Sequence, residues 1–280
     1  MAFSVNTNAG ALFALQSLNK TNRQLDVTQG RINTGLKVAS AKDNAAVFAI
    51  AQGQRADLAG LGQVKSSLDR ASSSINVALA ATEAVSDLLT QLKEKATAAT
   101  DPGADAASRT AYNDEFKNLV AQIDTVVNNA EFNGVNAVKA SGNAIAALTA
   151  LPDGANTAGA YSITIAATDL SASTGLGLAS TVTVSTAAKA SSALALITTA
   201  ETTVNGMLSK LGAGAKRVDI QRDFTDKLSD AIEVGIGSLV DADLARESAN
   251  LQSLQVRQQL GLQALSIANQ APGSVLSLFR

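Results

Sequence analysis

The sequence predicts a mainly α-helical fold: a long antiparallel coiled-coil rod that brings both termini together, with a small β insert in the middle. Three observations predict it. Ile197, Val204, Leu211, Val218 and Ile232 fall on one seven-residue repeat, whose one polar member is Thr225. A strict repeat of that length winds long helices around each other with a left-handed twist. The composition is rich in Ala, Leu and Val, with 3% aromatic residues and no Trp, which suits packed helices better than a wide globular core. Both ends are nearly uncharged: nothing charged precedes Lys20, and only Arg257 and Arg280 follow Leu251. Helices, a β middle and helices again fold most simply with the two ends side by side.

In chain order, Leu18, Leu25 and Ile32 lie seven apart with Leu15 and Leu36 beside them, which predicts a helix from about Ser4 to Asn33. "NTGLKVASAKDNAA" breaks the period. Gly35 can end that helix, and Asp43 or Asn44 can cap the next. The second helix covers about Ala45–Thr100, with Ile75, Leu79, Val85, Leu88, Leu92, Ala96 and Ala99 on one face. "TDPGAD" is a turn, because Pro102 and Gly103 both interrupt helices. Tyr112, Phe116, Leu119, Ile123 and Val126 then mark an amphipathic helix. It leads into "EFNGVNAV", where Asn133-Gly134 signals a tight turn and a hairpin.

Residues 141–186 change character and are rich in Ala, Gly, Ser and Thr. Alternation in "YSITIAA" and "STVTVST" predicts strands of a small β element, although the composition also fits a low-complexity linker. The helix with the seven-residue repeat follows, flanked by Ala200, Leu208, Ala215 and Leu228. "VGIGSLVDADLA" is expected to interrupt it, with Gly235 and Gly237 breaking the helix and Asp241 or Asp243 starting the last one.

The function classes narrow by chemistry. With no Cys and no His, the chain lacks the usual ligands for zinc and iron–sulfur centres and the usual proton-transfer base. A slightly acidic net charge of −2 offers no basic face to nucleic acid. No run is apolar enough to span a bilayer, and the start lacks the basic n-region of a secretory signal. That leaves a cytoplasmic protein or one exported by another route. No cofactor is expected.

The last helix carries the functional clue. At 100° per residue from Leu244, the side chains of Leu251, Leu254, Leu262 and Leu265 gather on one side, whereas Val256, Leu260 and Ile267 fall almost opposite. A helix with two apolar faces is covered from two directions. A central helix of a monomeric bundle meets that need. Yet both uncharged helices are at chain ends, where disorder is the usual state, so tails that become ordered in an assembly fit better.

"RINTGLKVASAKDNAAVFAIAQGQR" (Arg31–Arg55), "EFNGV" (Glu131–Val135) and "LVDADLARESANLQSLQVRQQLGLQALSIANQAPGSVLSLFR" (Leu239–Arg280) together resemble bacterial flagellin, in the short form found among alphaproteobacteria. The likeness covers about residues 1–140 and 187–280, and "ANQAPGSVLSLFR" is its most specific piece. It implies an inner coiled-coil domain from residues 1–40 and 240–280, a helical second domain with a β-hairpin from 41–140 and 187–239, and a β-rich outer insert at 141–186. It further implies a structural subunit of the extracellular flagellar filament, with no catalytic, cofactor or metal site. Its partners would be copies of itself, an export chaperone and the flagellar type III export apparatus, and hook-associated junction and cap proteins. Polymer contacts in the inner domain would be made by Leu18, Leu25, Ile32, Leu251, Leu254, Leu260, Leu262, Leu265, Ile267, Val275, Leu276 and Leu278.

Other candidate residues have plainer explanations. Lys42, Asp43 and Asn44 read as a cap and turn rather than catalytic groups, and Asp241 and Asp243 as helix-start carboxylates. "GLGQVK" and "VGIGSL" fall short of a phosphate-binding fingerprint. Without His, the metalloprotease insert of some flagellins is excluded. "TQLKEKAT" matches the stretch of many flagellins that an animal innate immune receptor reads. Glu94 fits that pattern, but Gln91 stands where Arg is expected and Lys95 where Leu is expected, which implies a weak response or none. Ser162, Thr164, Ser171, Ser173, Thr174, Thr181 and Thr183 could accept O-linked sugars, as in some flagellins, or be solvated hydroxyls. A hook–filament junction protein is the nearest alternative. A lipid-binding amphipathic helical protein should carry more cations than the two arginines of the tail.

Overall fold

The structure, a computed structural model, describes residues 7–151 and 161–276, with side chains described as far as Gln270. Among the described residues, five helices and two strands follow in the order α1 (Ala9–Thr34), α2 (Ala45–Thr100), α3 (Ala106–Asn129), β1 (Ile145–Leu148), β2 (Ser162–Ile165), α4 (Ala187–Val240) and α5 (Leu244–Leu276). The mainly α class with a small β insert is as expected. Contacts divide the chain into two compact units, Met1–Ala56 with Ala231–Arg280, and Asp57–Asp230.

In the second unit α2 and α4 run antiparallel. Lys65 reaches Asp226 at 2.7 Å and Lys93 reaches Glu201 at 2.9 Å, so partner numbers rise on one helix as they fall on the other. The seven-residue repeat is the buried edge of α4: Ile197, Val204, Leu211, Val218 and Thr225 are all at most 2% exposed. Thr225 is tolerated there because its hydroxyl donates to the Gln221 carbonyl at 2.8 Å. On α2 the buried edge includes Ile75, Val85, Leu92, Ala96 and Ala99 as expected, together with Leu89, while Leu79 and Leu88 are partly covered beside it. α3 folds back on α2 after the Thr100–Asp105 turn, capped by the Asp105 carboxylate on the Ser108 amide. Its buried stripe is Phe116, Val120, Ile123 and Val127. Tyr112, Leu119 and Val126 are flanking residues, so the helix is rotated slightly from the expected face.

The β insert packs into this unit. β1 and β2 pair antiparallel, Ile145 opposite Ile165 and Leu148 opposite Ser162. "YSITIAA" thus supplies a strand, but its partner lies in "NAIAALTA", and "STVTVST" is not a strand. There Val184 is fully buried and its amide donates to the Asn113 carboxamide at 3.0 Å, so a side chain of α3 takes the place of a ladder neighbour. Similar side-chain ties hold the rest: Ser67 accepts from the Leu148 amide, Asp124 from the Ala172 amide, and Gln221 donates to the Thr149 carbonyl. At "EFNGV" the expected turn forms with Asn133 and Gly134 at φ 51° and 79°, and the pairing is a single bridge between Phe132 and Val135.

In the first unit, the start of α1 expected at Ser4 lies outside the described residues; the helix runs from Ala9 with Asn8 as its cap. Gly35 ends α1 at φ 70° with its amide on the Arg31 carbonyl. Asn44 caps α2, accepting from the Val47 amide, while Asp43 closes the preceding loop by accepting from the Ala39 and Ser40 amides. Gly235 and Gly237 do not break α4, which continues to Val240. The interruption comes at Asp241, because the chain there pairs with the α1–α2 loop instead of continuing its helix. The Lys37 amide donates to the Val240 carbonyl at 2.6 Å and the Ala242 amide to the Gly35 carbonyl at 2.9 Å. Val38, Ala51, Ile236 and Val240 form a small buried cluster around this crossing. Asp243 then caps α5 through the Ala245 and Arg246 amides.

Candidate functional site

α1 and α5 form an antiparallel two-helix pair built from both chain ends. Asn8 donates to the Ala268 carbonyl at 2.6 Å, Gln258 to Asn22 at 2.8 Å and Arg31 to Glu247 at 3.1 Å. Between these ties Gly261 sits against Leu18, so close that a Cβ on it would come within 3.3 Å of the leucine. The seam of α5 therefore runs Glu247, Leu251, Leu254, Gln258, Gly261, Leu265, Ala268, stepping four, three, four, three, four and three. That is a heptad seam in which only three members are large and apolar.

The residues expected to make polymer contacts divide by position. Leu18, Leu25 and Leu254 are buried within the pair, and Ile32, Leu251 and Leu265 are half-buried. These face the partner helix of the same chain. Leu260, Leu262 and Ile267 are exposed, Ile267 to 70%. Periodicity places Leu262 with Leu254 and Leu265, but Gly261 and Leu265 take the seam and turn it out. Val275, Leu276 and Leu278 lie outside the residues whose side chains are described. On the outer sides of α1, Leu12 and Phe13 are 62% and 75% exposed. Among the described residues no apolar surface covers these side chains, so the pair presents grease outward on both helices.

One flank of the pair is a groove of about 550 Å³ along α1 and α5, lined by Lys20, Arg23, Gln24, Val27 and Arg257 among others. Sequence reasoning missed this cationic groove and the Arg31–Glu247 tie. The four–three stepping of the seam was legible, but only its leucines stood out as a pattern.

In the second unit, Gln91 and Glu94 are exposed on α2, while the Lys95 ammonium lies 2.7 Å from the Glu115 carboxylate of α3. The hydrogen bond and charge of Glu115 raise the Lys95 pKa above the ordinary value. Of the hydroxyl candidates, Thr164, Ser173 and Thr181 are exposed, and Ser162 and Thr183 are half-buried. Ser171 and Thr174 are engaged: both donate to Asp169, at 2.6 and 2.5 Å. Among the described residues no group of three or more acidic side chains could hold a metal ion, and no helix is long and apolar enough to cross a membrane.

The chain matches the bacterial flagellin N-terminal helical region over residues 5–143 and the bacterial flagellin C-terminal helical region over residues 194–279. It is 47% identical to flagellin FljK of Caulobacter vibrioides over 99% of this chain and 98% of that one. The chain belongs to the bacterial flagellin family. Flagellin FljM of the same organism is 46% identical, again over 99% of this chain and 98% of the relative. A flagellin of Brucella melitensis is 35% identical over 99% of each chain. In this flagellin both family regions meet in the α1–α5 pair, since α1 lies in the first match and α5 in the second.

Proposed function

We propose that this flagellin polymerises helically, through the outward apolar side chains of α1 and α5, into the extracellular flagellar filament. The observation that carries the reading is the exposure of Phe13 and Ile267, at 75% and 70%, on a pair whose seam has few large apolar residues. Side chains of that size left in water on both helices favour association with copies of the same surface. Its work is mechanical: many weak helix contacts, repeated along the polymer, make a stiff propeller. It is a structural protein and not an enzyme.

The finer organisation follows the family pattern. Residues 1–40 with 240–280 form the inner domain, 41–140 with 187–239 the helical second domain, and 141–186 the outward-facing insert. An export chaperone and the flagellar type III apparatus deliver the chain, which without cysteines has no disulfide to obstruct threading. Hook-associated junction and cap proteins bound the polymer. Lys95, held by Glu115, and Gln91 in place of Arg weaken reading by the innate receptor; a potent response in a receptor reporter assay would refute that. Thr164, Ser173 and Thr181 are the hydroxyls best placed for O-linked sugar, which an intact mass equal to the sequence mass would exclude.

The deciding experiment is electron microscopy of purified protein after mild dissociation, seeding and salt. Long uniform filaments, lost on deleting Gly273–Arg280, are expected. Short rings would favour a junction protein, and a persistent monomer would refute polymerisation.

A further inference from the structure

The geometry points to a charge latch between copies, in which Asp26 of one chain enters the cationic groove of the next. This rests on the polymerisation reading above and names the partner surface of that contact.

Two acidic side chains occur on the two paired helices, Asp26 and Glu247. Glu247 is 9% exposed and already bound to Arg31 in its own chain. Lys20, Arg23 and Arg257 line the groove together with Glu247, and none of the three cations has an ion-pair partner among the described residues. Copies packed side by side would press these cations together unless a carboxylate met them, and like charges brought together weaken association severely. Among the described residues, the one carboxylate on the two helices that has no partner in its own chain is Asp26, and it is exposed.

Its direction decides the arrangement. Leu25 is buried against α5. Its neighbours on either side, Gln24 and Asp26, project about 100° to its two sides. Gln24 lines the groove. Asp26 therefore lies on the opposite flank, with Leu15 eleven residues earlier at nearly the same angle and 44% exposed. The groove flank offers its own exposed apolar side chains, Val27 at 48% and Leu260 at 57%. One flank thus carries Lys20 and Arg257 between apolar residues, and the other an acid with an apolar residue. Because the two flanks differ, each copy binds the next through unlike surfaces, and such a contact builds an open helical polymer wherever its rotation does not close a ring. A latch of this kind sets register, since apolar contacts alone tolerate sliding.

The test is seeded elongation followed by sedimentation and electron microscopy. Asp26→Arg and Arg257→Glu are each expected to slow elongation at least about tenfold, with helix content by circular dichroism unchanged because both sites are exposed. The double variant D26R/R257E is expected to recover elongation. Independently, Asp26→Cys chains mixed with Arg257→Cys chains should give an interchain disulfide in filaments under mild oxidation, in a protein otherwise free of cysteine. Single variants that elongate like the parent would overturn the latch and leave the filament reading intact. So would a double variant without recovery together with no cross-link. Failure of the unmodified chain to polymerise would overturn the filament reading itself.

Discussion

The Arg31 guanidinium lies 3.1 Å from the Glu247 carboxylate, and this is the one ion pair joining α1 to α5 among the described residues. Its two ends differ in burial: the Glu247 side chain is 12% exposed and that of Arg31 35%. Glu247→Gln keeps the shape and a weaker hydrogen bond while Arg31 can turn to water. The expected loss is about 1 kcal/mol, limited by that exposure. Hydrogen exchange in the monomer should show α1 amides exchanging roughly fivefold faster, with α3 amides unchanged.

Asn136 does more than its place in "EFNGVNAV" suggests. It is fully buried, donates to the Val127 carbonyl at 2.8 Å and accepts from the Val138 and Lys139 amides at 3.0 Å each. It therefore closes the end of α3 and shapes the chain that leads into β1. Asn136→Ala leaves the Val138 and Lys139 amides without this partner, and the Val127 carbonyl with the Ala130 amide alone. A loss of about 2–4 kcal/mol is expected, read as a lower midpoint in urea unfolding of the monomer.

These two residues mark where the sequence was readable. Long helices were legible because a seven-residue apolar repeat has one interpretation in α4, and because Gly35, Asn44 and Pro102-Gly103 act locally as stop, cap and turn around α1 and α2. The glycines at 235 and 237 misled because a glycine costs a helix only about 1 kcal/mol. Val240 ends α4 through amides of Lys37 and Val38, about 200 residues away and invisible to a local window. "STVTVST" alternates because Val184 is buried against α3, not because it pairs with a strand. Of the candidate site, the outward face of α5 at Leu260 and Ile267 was legible. The groove was not, since it needs Lys20 and Arg257 brought together by the fold.

Two glycines should respond in opposite ways. A Cβ at Gly175 would run into the backbone carbonyl of Asp169, which cannot step aside, so Gly175→Ala should cost about 2 kcal/mol or more. Gly206 lies exposed within α4 with nothing near its missing Cβ. Gly206→Ala should stabilise by about 0.5–1 kcal/mol. Thermal unfolding of the two single variants, run as monomers, should move the midpoint down and up respectively.

Acid should loosen the Asp169 turn. Burial alone would raise the Asp169 pKa, but hydrogen bonds from the Ser171 and Thr174 hydroxyls and the Ser171 amide outweigh it and hold it below the ordinary 3.8. Asp43 is lowered too, chiefly by the Ser40 amide. A carboxylate with a lowered folded pKa adds stability above the unfolded value and loses it as pH falls through the folded one. The loss should therefore be confined to pH below about 4. Melting midpoints measured from pH 6 to pH 2.5 should fall in that window, and Asp169→Asn should start lower and fall less steeply there.

Leu254 and Leu260 sit six residues apart on α5 and should separate folding from assembly. Leu254 is 8% exposed in the seam with α1, whereas Leu260 is 57% exposed on the outer side. Leu254→Ala leaves a cavity in a seam that has few other large side chains, at a cost of about 2–3 kcal/mol. It should speed proteolysis of the terminal helices in the monomer. Leu260→Ala removes no buried surface from the chain itself, so monomer stability should shift by less than about 0.5 kcal/mol. If Leu260 is covered by a second copy, the same change must weaken the polymer at every repeat, and elongation from seeds should slow while proteolysis of the monomer stays at the parent rate. Equal elongation rates for Leu260→Ala and the parent would place the polymer contact elsewhere on the pair.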